Sequence, residues 1–471
     1  MTSAWDLRVT LDEVIRATGA EVLRPGPATS VLSGITTDSR RIPPQGLFVG
    51  VPGERFDGSD FGSAALAGGA AAVLVSREKA RSALDYPAGA VLASDSPLRA
   101  LARLARWHRR RMPARVAAIT GSNGKTTSKE MLAACLREEG PTLATEGNLN
   151  NEVGAPLTVL ALREEHRFAV VELGMSHEGE IGRLTAMVEP EVGLVTGAAQ
   201  VHTEGLGGLE GVARAKAELY HGLGLDAVAV ANADDPLMRE RAKWAGRRAL
   251  WFGRDERADV RWTDTLSHDA RGLRIRVRAS GADRELTLPV VGLHNAMNAC
   301  AAYACARSLG VPDEAIVQGL SQARPPGRRL RLSPIPGSGA TLLDDCYNAN
   351  PASMLAALAT LADLAPEGHR IAVLGDMREL GTQEAESHRA VGRAAAKARV
   401  KLLVAFGPAS KGLAQAAKEE GLSADRILHT EDPEEAAARV RASLSPEDLV
   451  LVKASRGTRL ERVSDRLVPP A

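Results

Sequence analysis

Short runs of apolar residues, separated by stretches with helical spacing, set the pattern of most of this chain. Val116 to Thr120, Phe168 to Leu173, Val192 to Thr196, Ala227 to Asn232 and Ala249 to Phe252 are apolar nearly throughout, as strands buried on both faces are. Between and after them, Thr126 to Glu138, Gly208 to Leu223 and Asn295 to Leu309 carry apolar positions at helical intervals. Buried strands alternating with helices predict a mainly parallel sheet covered on both sides.

The pattern changes at either end of this region. The first 88 residues mix short apolar runs (Gly46 to Val51, Ala70 to Ser76) with glycine-rich turns and a helical stretch from Ser59 to Ala67. Pro97 to Arg111 then predicts a helix entering the next unit. Pro325-Pro326-Gly327 breaks the preceding helix and marks a linker. Beyond it strands are expected at Thr341 to Leu343, Arg370 to Leu374, Lys401 to Phe406 and Leu449 to Lys453. Helices are expected around Ser353 to Leu364, Glu384 to Ala398, Ala409 to Glu420 and Glu434 to Ser443.

The fold class predicted is therefore α/β in three domains. Residues 1–88 form a small mixed domain, 89–324 a central P-loop-type domain, and 325–471 a Rossmann-like, doubly wound domain. A length of 471 residues fits more than one core. The third domain has no GxGxxG after its first strand, so a dinucleotide site is not predicted there.

Composition narrows the function classes. A net charge of +1 argues against a nucleic-acid partner. No apolar run approaches the roughly 18 residues of a membrane span, and the first residues lack the order of a signal peptide. Four cysteines without a CxxC pair suggest neither disulfides nor zinc. A cytoplasmic protein without membrane insertion is expected, with a monomer as the expected state. The chain has ten lysines against 49 arginines, and only nine asparagines. Eight of those nine fall in four clusters: Asn123; Asn148, Asn150 and Asn151; Asn295 and Asn298; Asn348 and Asn350. Scarce residues placed together mark chemically constrained positions.

The first of these lies in Thr120 to Thr127 (TGSNGKTT), between a predicted buried strand and a helix. Gly121 and Gly124 let backbone N–H groups converge on an anion, and Ser122 and Asn123 complete the turn. The helix start adds its positive end, Lys125 reaches β- and γ-phosphates, and the Thr126 hydroxyl suits Mg²⁺. Ile119 stands where the full GxxxxGK[ST] pattern has its first glycine. Glu172 and His202 follow at or just past the ends of successive strands, where parallel sheets collect ligands. Alone, Glu172 reads as a capping or ion-paired carboxylate and His202 as a satisfied loop histidine; together in such a domain they read as metal ligands. Lys216 reads from spacing as a solvated helix residue. Asn295 and Asn298 share a helix face, open to a cap or a purine edge alike. In the third domain DDCYNANPAS (Asp344 to Ser353), GDMREL (Gly375 to Leu380) and KASR (Lys453 to Arg456) place polar clusters at strand ends.

Taken together these residues resemble the Mur ligase family, ATP-dependent amide-forming enzymes of peptidoglycan precursor synthesis. The resemblance spans nearly the whole chain: TGSNGKTT, GNLNNEVGAP, ELGMSHEGEI, VHTEG, NADDP, GLHNAMNAC and the Pro-Gly-Arg linker occur in the family's order. TDSR, GLFVGVPGERFDG, DDCYNANPAS and VLGDMREL are most similar to the branch that adds D-alanyl-D-alanine to UDP-MurNAc-tripeptide. KASR departs from the expected KGSR by one small residue, Ala454.

The resemblance implies ATP and Mg²⁺ as cofactors. It implies Gly121 to Thr127 on the nucleotide, Asn295 and Asn298 at adenine, and Arg328, Asp344 and Asp345 completing that site. Thr126, Glu172, His202 and Lys216, if carbamylated, would hold metal, with Lys125, His202, Lys216 and Arg328 in catalysis. Ser39 and Arg40, Asn148 and Asn151, and Asn348, Asn350, Lys453, Ser455 and Arg456 would contact the substrates, the first pair at the UDP-sugar and the last five near the dipeptide. Two other classes stay open: another Mur-type amide ligase, or a non-catalytic ATP-binding protein.

Overall fold

The apolar runs assemble into three large sheets in a computed structural model that describes residues 8–27, 30–53, 55–86, 88–199, 206–324 and 327–469. The fold is α/β, with each large sheet mostly parallel, and a short antiparallel ladder joins Val9–Thr10 to Val31–Leu32.

The first sheet has five strands in the order Glu21–Arg24, Ala90–Ser94, Ala72–Ser76, Leu47–Val49, Ile35–Thr36, parallel except for the first pair. Strand Ala90–Ser94 pairs along Ala72–Ser76, so this sheet runs past the division expected at residue 88. Helix Pro97–Arg109 follows, capped by the Ser96 hydroxyl. Its buried face (Leu101, Leu104, Ala105) joins one continuous apolar cluster with Leu47 and Leu74 of the first sheet and Val171 and Leu184 of the central unit. Shared burial of this kind welds the two units together.

The central sheet has nine strands. Arg115–Thr120 lies between Val192–Val195 and Phe168–Glu172, both parallel to it. Its residues alternate faces, as a strand requires: Val116 and Ala118 pack toward the first unit's side, Ala117 and Ile119 toward helices Lys125–Arg137 and His294–Ser308. Ile119 is a fully buried strand residue paired with Glu172 and Leu194, so no turn glycine could serve there. Val260–Asp269, Gly272–Ala279 and Ala282–Leu288 add an antiparallel meander at one edge, which the sequence reading did not predict.

The third sheet runs Arg331–Pro334, Thr341–Asp344, Leu449–Lys453, Arg370–Gly375, Leu402–Phe406, Ile427–Thr430, parallel apart from its first pair. Helices Pro351–Leu364, Glu384–Lys397 and Lys411–Glu419 cover one face, Pro433–Ser443 and Glu461–Leu467 the other. Its two cores are separate from that shared by the first two units. Val291 of the central unit packs into one of the third unit's cores, and beside that contact the two units face each other across a cleft. Of the linker residues, Pro325 and Pro326 lie outside the described residues.

Candidate active site

Strand Arg115–Thr120 delivers the chain to a tight loop. Gly121 has φ +144°, and a Cβ there would lie 1.9 Å from the Thr196 hydroxyl. Gly124 has φ +81°, where a side chain strains the backbone. Helix Lys125–Arg137 begins at Gly124 without a side-chain cap, leaving its first N–H groups turned to the cleft. Neighbouring strand ends brace the loop. Thr196 donates to the Asn123 carbonyl at 2.6 Å, and the Ser122 amide to the Gly197 carbonyl at 2.9 Å.

Lys125 curls over this loop, its Nζ donating to the carbonyls of Gly121 (2.7 Å) and Ser122 (3.2 Å). Burial pushes its pKa below the usual lysine value, against the pull of Glu172 and with the push of Arg329. Lys216, on helix Leu209–Gly222, is 2% exposed. Burial and then the charge of Lys125 hold its amine well below the ordinary range, with Glu218 opposing. A lysine so placed is a neutral, nucleophilic amine more readily than a surface one.

Glu172 ends its strand 2% exposed. Its Oε1 accepts from Asn150 Nδ2 at 2.8 Å, while Oε2 is buried without a hydrogen-bond partner. An orphaned carboxylate oxygen beside a phosphate loop fits a hard, oxygen-seeking cation. Among the described residues no group of three or more His, Cys, Asp or Glu side chains could hold a metal alone. A metal here would therefore draw on Glu172, the Thr126 hydroxyl and a modified Lys216. His202 lies outside the described residues.

Gly121, Lys125, Thr126, Glu172 and Lys216 line one cleft of about 880 Å³, together with third-domain residues Asp345, Asn348, Asn350, Lys453, Ser455 and Arg456. Hydrogen bonds span it from the third unit to the phosphate loop and its helix. Asn350 Nδ2 donates to Asn123 Oδ1 at 2.6 Å, and Arg329 Nη2 to Thr126 Oγ1 at 3.0 Å. Arg329 also lies over the Tyr347 ring, 4.0 Å from its centroid. Lys453 Nζ is fixed by Asp345 Oδ2 (2.6 Å) and the Asn348 carbonyl (3.0 Å), and Ser455 Oγ donates to the Ala349 carbonyl at 3.1 Å.

Asn295 and Asn298 stand behind the loop. Asn298 Nδ2 donates to Asn295 Oδ1 at 2.8 Å, and Asn295 Nδ2 to the Val291 carbonyl at 2.7 Å. Neither acts as the helix cap, which is Leu293. Asn148 and Asn151 line the cleft as well, and Asn151 Oδ1 accepts from the Gly154 amide at 2.8 Å.

Four predicted residues are not brought to this cleft. Arg328 pairs with Asp344 at 2.9 Å and with Asp465, so both Arg328 and Asp344 are spent within the third unit. Its neighbour Arg329 reaches the phosphate loop instead. Ser39 and Arg40 belong to the first unit, where Arg40 pairs with Asp38 at 2.8 Å and its hydrogen bond lowers that carboxyl's pKa to about 2. Tyr347, His177 and Arg378 also line the cleft; they lie within DDCYNANPAS, ELGMSHEGEI and GDMREL without being singled out there, and the tie from Asn150 to Glu172 had no signal in the sequence.

Family models match along the chain in the same order as the sheets. The model for the Mur ligase family catalytic domain matches residues 31–109, the Mur ligase middle domain 119–306, and the Mur ligase glutamate ligase domain 328–456. The chain is 39% identical to the UDP-N-acetylmuramoyl-tripeptide--D-alanyl-D-alanine ligase of Escherichia coli, over 93% of this chain and 94% of that one. Its structure is similar to MurF from Acinetobacter baumannii, with TM-score 0.87, 32% identity and 98% of both chains covered. It is likewise similar to the MurF ligase of Thermotoga maritima in complex with ADP, with TM-score 0.80 and 27% identity over 92% of this chain and 96% of that one.

Proposed function

The chain belongs to the Mur ligase family, and from that premise we propose that it joins D-alanyl-D-alanine to UDP-N-acetylmuramoyl-tripeptide in peptidoglycan precursor synthesis. ATP is cleaved to ADP and phosphate. The observation that carries this reading is the meeting of the phosphate loop and the third-domain polar clusters across one cleft. It is supported by near-full-length relatives that carry this activity in their names.

A carboxylate is a poor acylating agent because its oxygen is a poor leaving group. The acceptor's terminal carboxylate attacks the γ-phosphorus, forming a carboxyl–phosphate bond as the bond to ADP breaks. The dipeptide's free amine then attacks the carbonyl carbon, phosphate leaves with one carboxylate oxygen, and the amine loses a proton. Lys125 and the open N-terminus of its helix balance charge on the transferred group. Asn295 and Asn298 are assigned to the adenine side of the loop. Asn348, Asn350, Lys453, Ser455 and Arg456 are assigned to the dipeptide side, and the first unit, with Ser39 and Arg40, to the UDP-sugar. Mg²⁺ would be held by Thr126 and Glu172, with His202 and carbamylated Lys216; when bound it supplies charge neutralisation on the phosphates. Carbamylation requires a neutral amine, which the burial of Lys216 favours. No helix among the described residues is long and apolar enough to cross a membrane.

The test is phosphate release from ATP with UDP-MurNAc-tripeptide, comparing D-alanyl-D-alanine with diaminopimelate and lysine. Release is expected with the dipeptide alone. Equal release with a single amino acid refutes the assignment, as does full activity in Lys125→Ala.

A further inference from the structure

Helix Lys125–Arg137 buries a second lysine that the site above leaves unused. Lys129 lies one turn beyond Lys125, is 1% exposed and does not line the cleft. A buried ammonium is unfavourable unless its donors are taken, and this chain otherwise favours arginine heavily. Lys129 Nζ donates to the Thr145 carbonyl and pairs with Glu130 at 2.8 Å.

Thr145 is a junction. It follows the short edge strand Thr142–Ala144, whose ladder with Phe168–Glu172 ends at the Ala144–Val170 pair. The Thr145 amide donates to the Val170 carbonyl at 3.0 Å, and its hydroxyl accepts from the Glu172 amide at 2.9 Å. Thr145 is itself buried. The Lys129 ammonium thus fixes the residue whose hydroxyl fixes the Glu172 backbone, while Asn150 fixes one end of the Glu172 carboxylate.

We infer that Lys129 is a positioning residue: acting through Thr145, it sets where the Glu172 carboxylate lies relative to the phosphate loop, and so sets affinity for the divalent cation. The inference rests on the reading of Glu172 as a metal-holding group. Without Lys129 the Thr145 carbonyl loses its donor in a dry setting, and the end of the strand ladder is free to shift. Mg²⁺ demands near-ideal octahedral geometry, so a small displacement of one carboxylate weakens it. Partners behind a metal ligand change affinity by about 10–100-fold when removed.

The experiment measures Mn²⁺ affinity of the enzyme–ADP complex by electron paramagnetic resonance, and beside it the KM for the dipeptide, in Lys129→Met, Thr145→Val and Thr145→Ser. Expected are a roughly tenfold loss of Mn²⁺ affinity in Lys129→Met, a several-fold loss in Thr145→Val, and near-normal affinity in Thr145→Ser, which keeps the hydroxyl. The dipeptide KM stays within about twofold, and the Lys129→Met/Thr145→Val double variant binds no worse than Lys129→Met alone, as one shared path requires. Unchanged Mn²⁺ affinity in Lys129→Met and Thr145→Val overturns the inference. Equal losses in Thr145→Val and Thr145→Ser also overturn it, since packing alone then accounts for both. If Lys129→Met does not fold, the Thr145 pair decides. Glu172→Gln is the separate control: if it binds Mn²⁺ as the wild type does, the metal reading of Glu172 fails, not the relay.

Discussion

Asn350 does two separable things, and a pair of substitutions can pull them apart. Its Oδ1 accepts from the Ser353 amide at 2.9 Å, capping helix Pro351–Leu364 in a reciprocal box with Ser353. Its Nδ2 crosses the cleft to Asn123 Oδ1 at 2.6 Å. Asn350→Ala removes both. Loss of the cap costs about 1 kcal/mol, and loss of the cross-cleft bond about 1 kcal/mol more. Asn350→Asp keeps an oxygen for the cap, where a negative charge is favourable by roughly 0.3–1 kcal/mol. It replaces the amide donor with a second acceptor facing Asn123.

Hydrogen exchange at the first turn of Pro351–Leu364 reads the cap, and kcat/KM for the dipeptide reads the contact. Asn350→Ala should speed exchange about fivefold and lower kcat/KM at least about fivefold, the factors that 1 kcal/mol implies. Asn350→Asp should leave exchange at or below the wild-type rate and still lower kcat/KM. Asn123→Ala combined with Asn350→Ala should be less than additive by about 1 kcal/mol in kcat/KM. Wild-type kcat/KM in Asn350→Asp, with strict additivity in the double variant, would refute a role for the cross-cleft bond.

Two further outcomes follow from the phosphate loop and its neighbour. In Gly124→Ala the new Cβ would lie 2.2 Å from Asn298 Oδ1 at a φ of +81°. Displacing Asn298 from Asn295 and straining the backbone together cost about 2–3 kcal/mol; calorimetry should show ADP binding weakened more than tenfold, and unchanged binding contradicts the geometry. Lys216 binds its proton less tightly folded than unfolded, so the unfolded chain carries more protons below the ordinary lysine value of 10.5. Stability should therefore rise with pH toward that value, and Lys216→Met should melt higher than the wild type at pH 7 in bicarbonate-free buffer. The gap should shrink as pH approaches 10, while ligation is lost. A variant that melts lower at pH 7 shows that the buried amine is not the destabilising group.

The parts of the site that were legible in the sequence are those made by neighbours in the chain. The loop Gly121 to Thr127 and its helix are local, and Glu172 announces itself by ending an apolar run. Asn150 belongs to one of the rare asparagine clusters, yet its tie to Glu172 joins a loop to a strand end and could not be read from either alone. Arg328 and Arg329 are adjacent, and sequence cannot say which of two neighbouring guanidinium groups turns to the cleft. The backbone does: Leu330 at φ +52° gives its amide to Asp345, while Arg328 is taken by Asp344 and Asp465. The meander at 260–288 did carry a signal, since Leu273, Ile275, Val277 and Ala279 are buried and alternate with Arg274, Arg276 and Arg278. Its arginines outnumber what a buried strand allows, and only a sheet edge with one wet face reconciles them. The central strands were plain for the opposite reason, being apolar on both faces.

In the proposed reaction the cleft activates a carboxylate by placing phosphate on it. Acceptor tripeptide carrying ¹⁸O in both oxygens of its terminal carboxylate tests this directly. After ligation to D-alanyl-D-alanine, mass spectrometry should find one ¹⁸O in the released phosphate and one in the new amide. Phosphate free of ¹⁸O, with product formed, would contradict it.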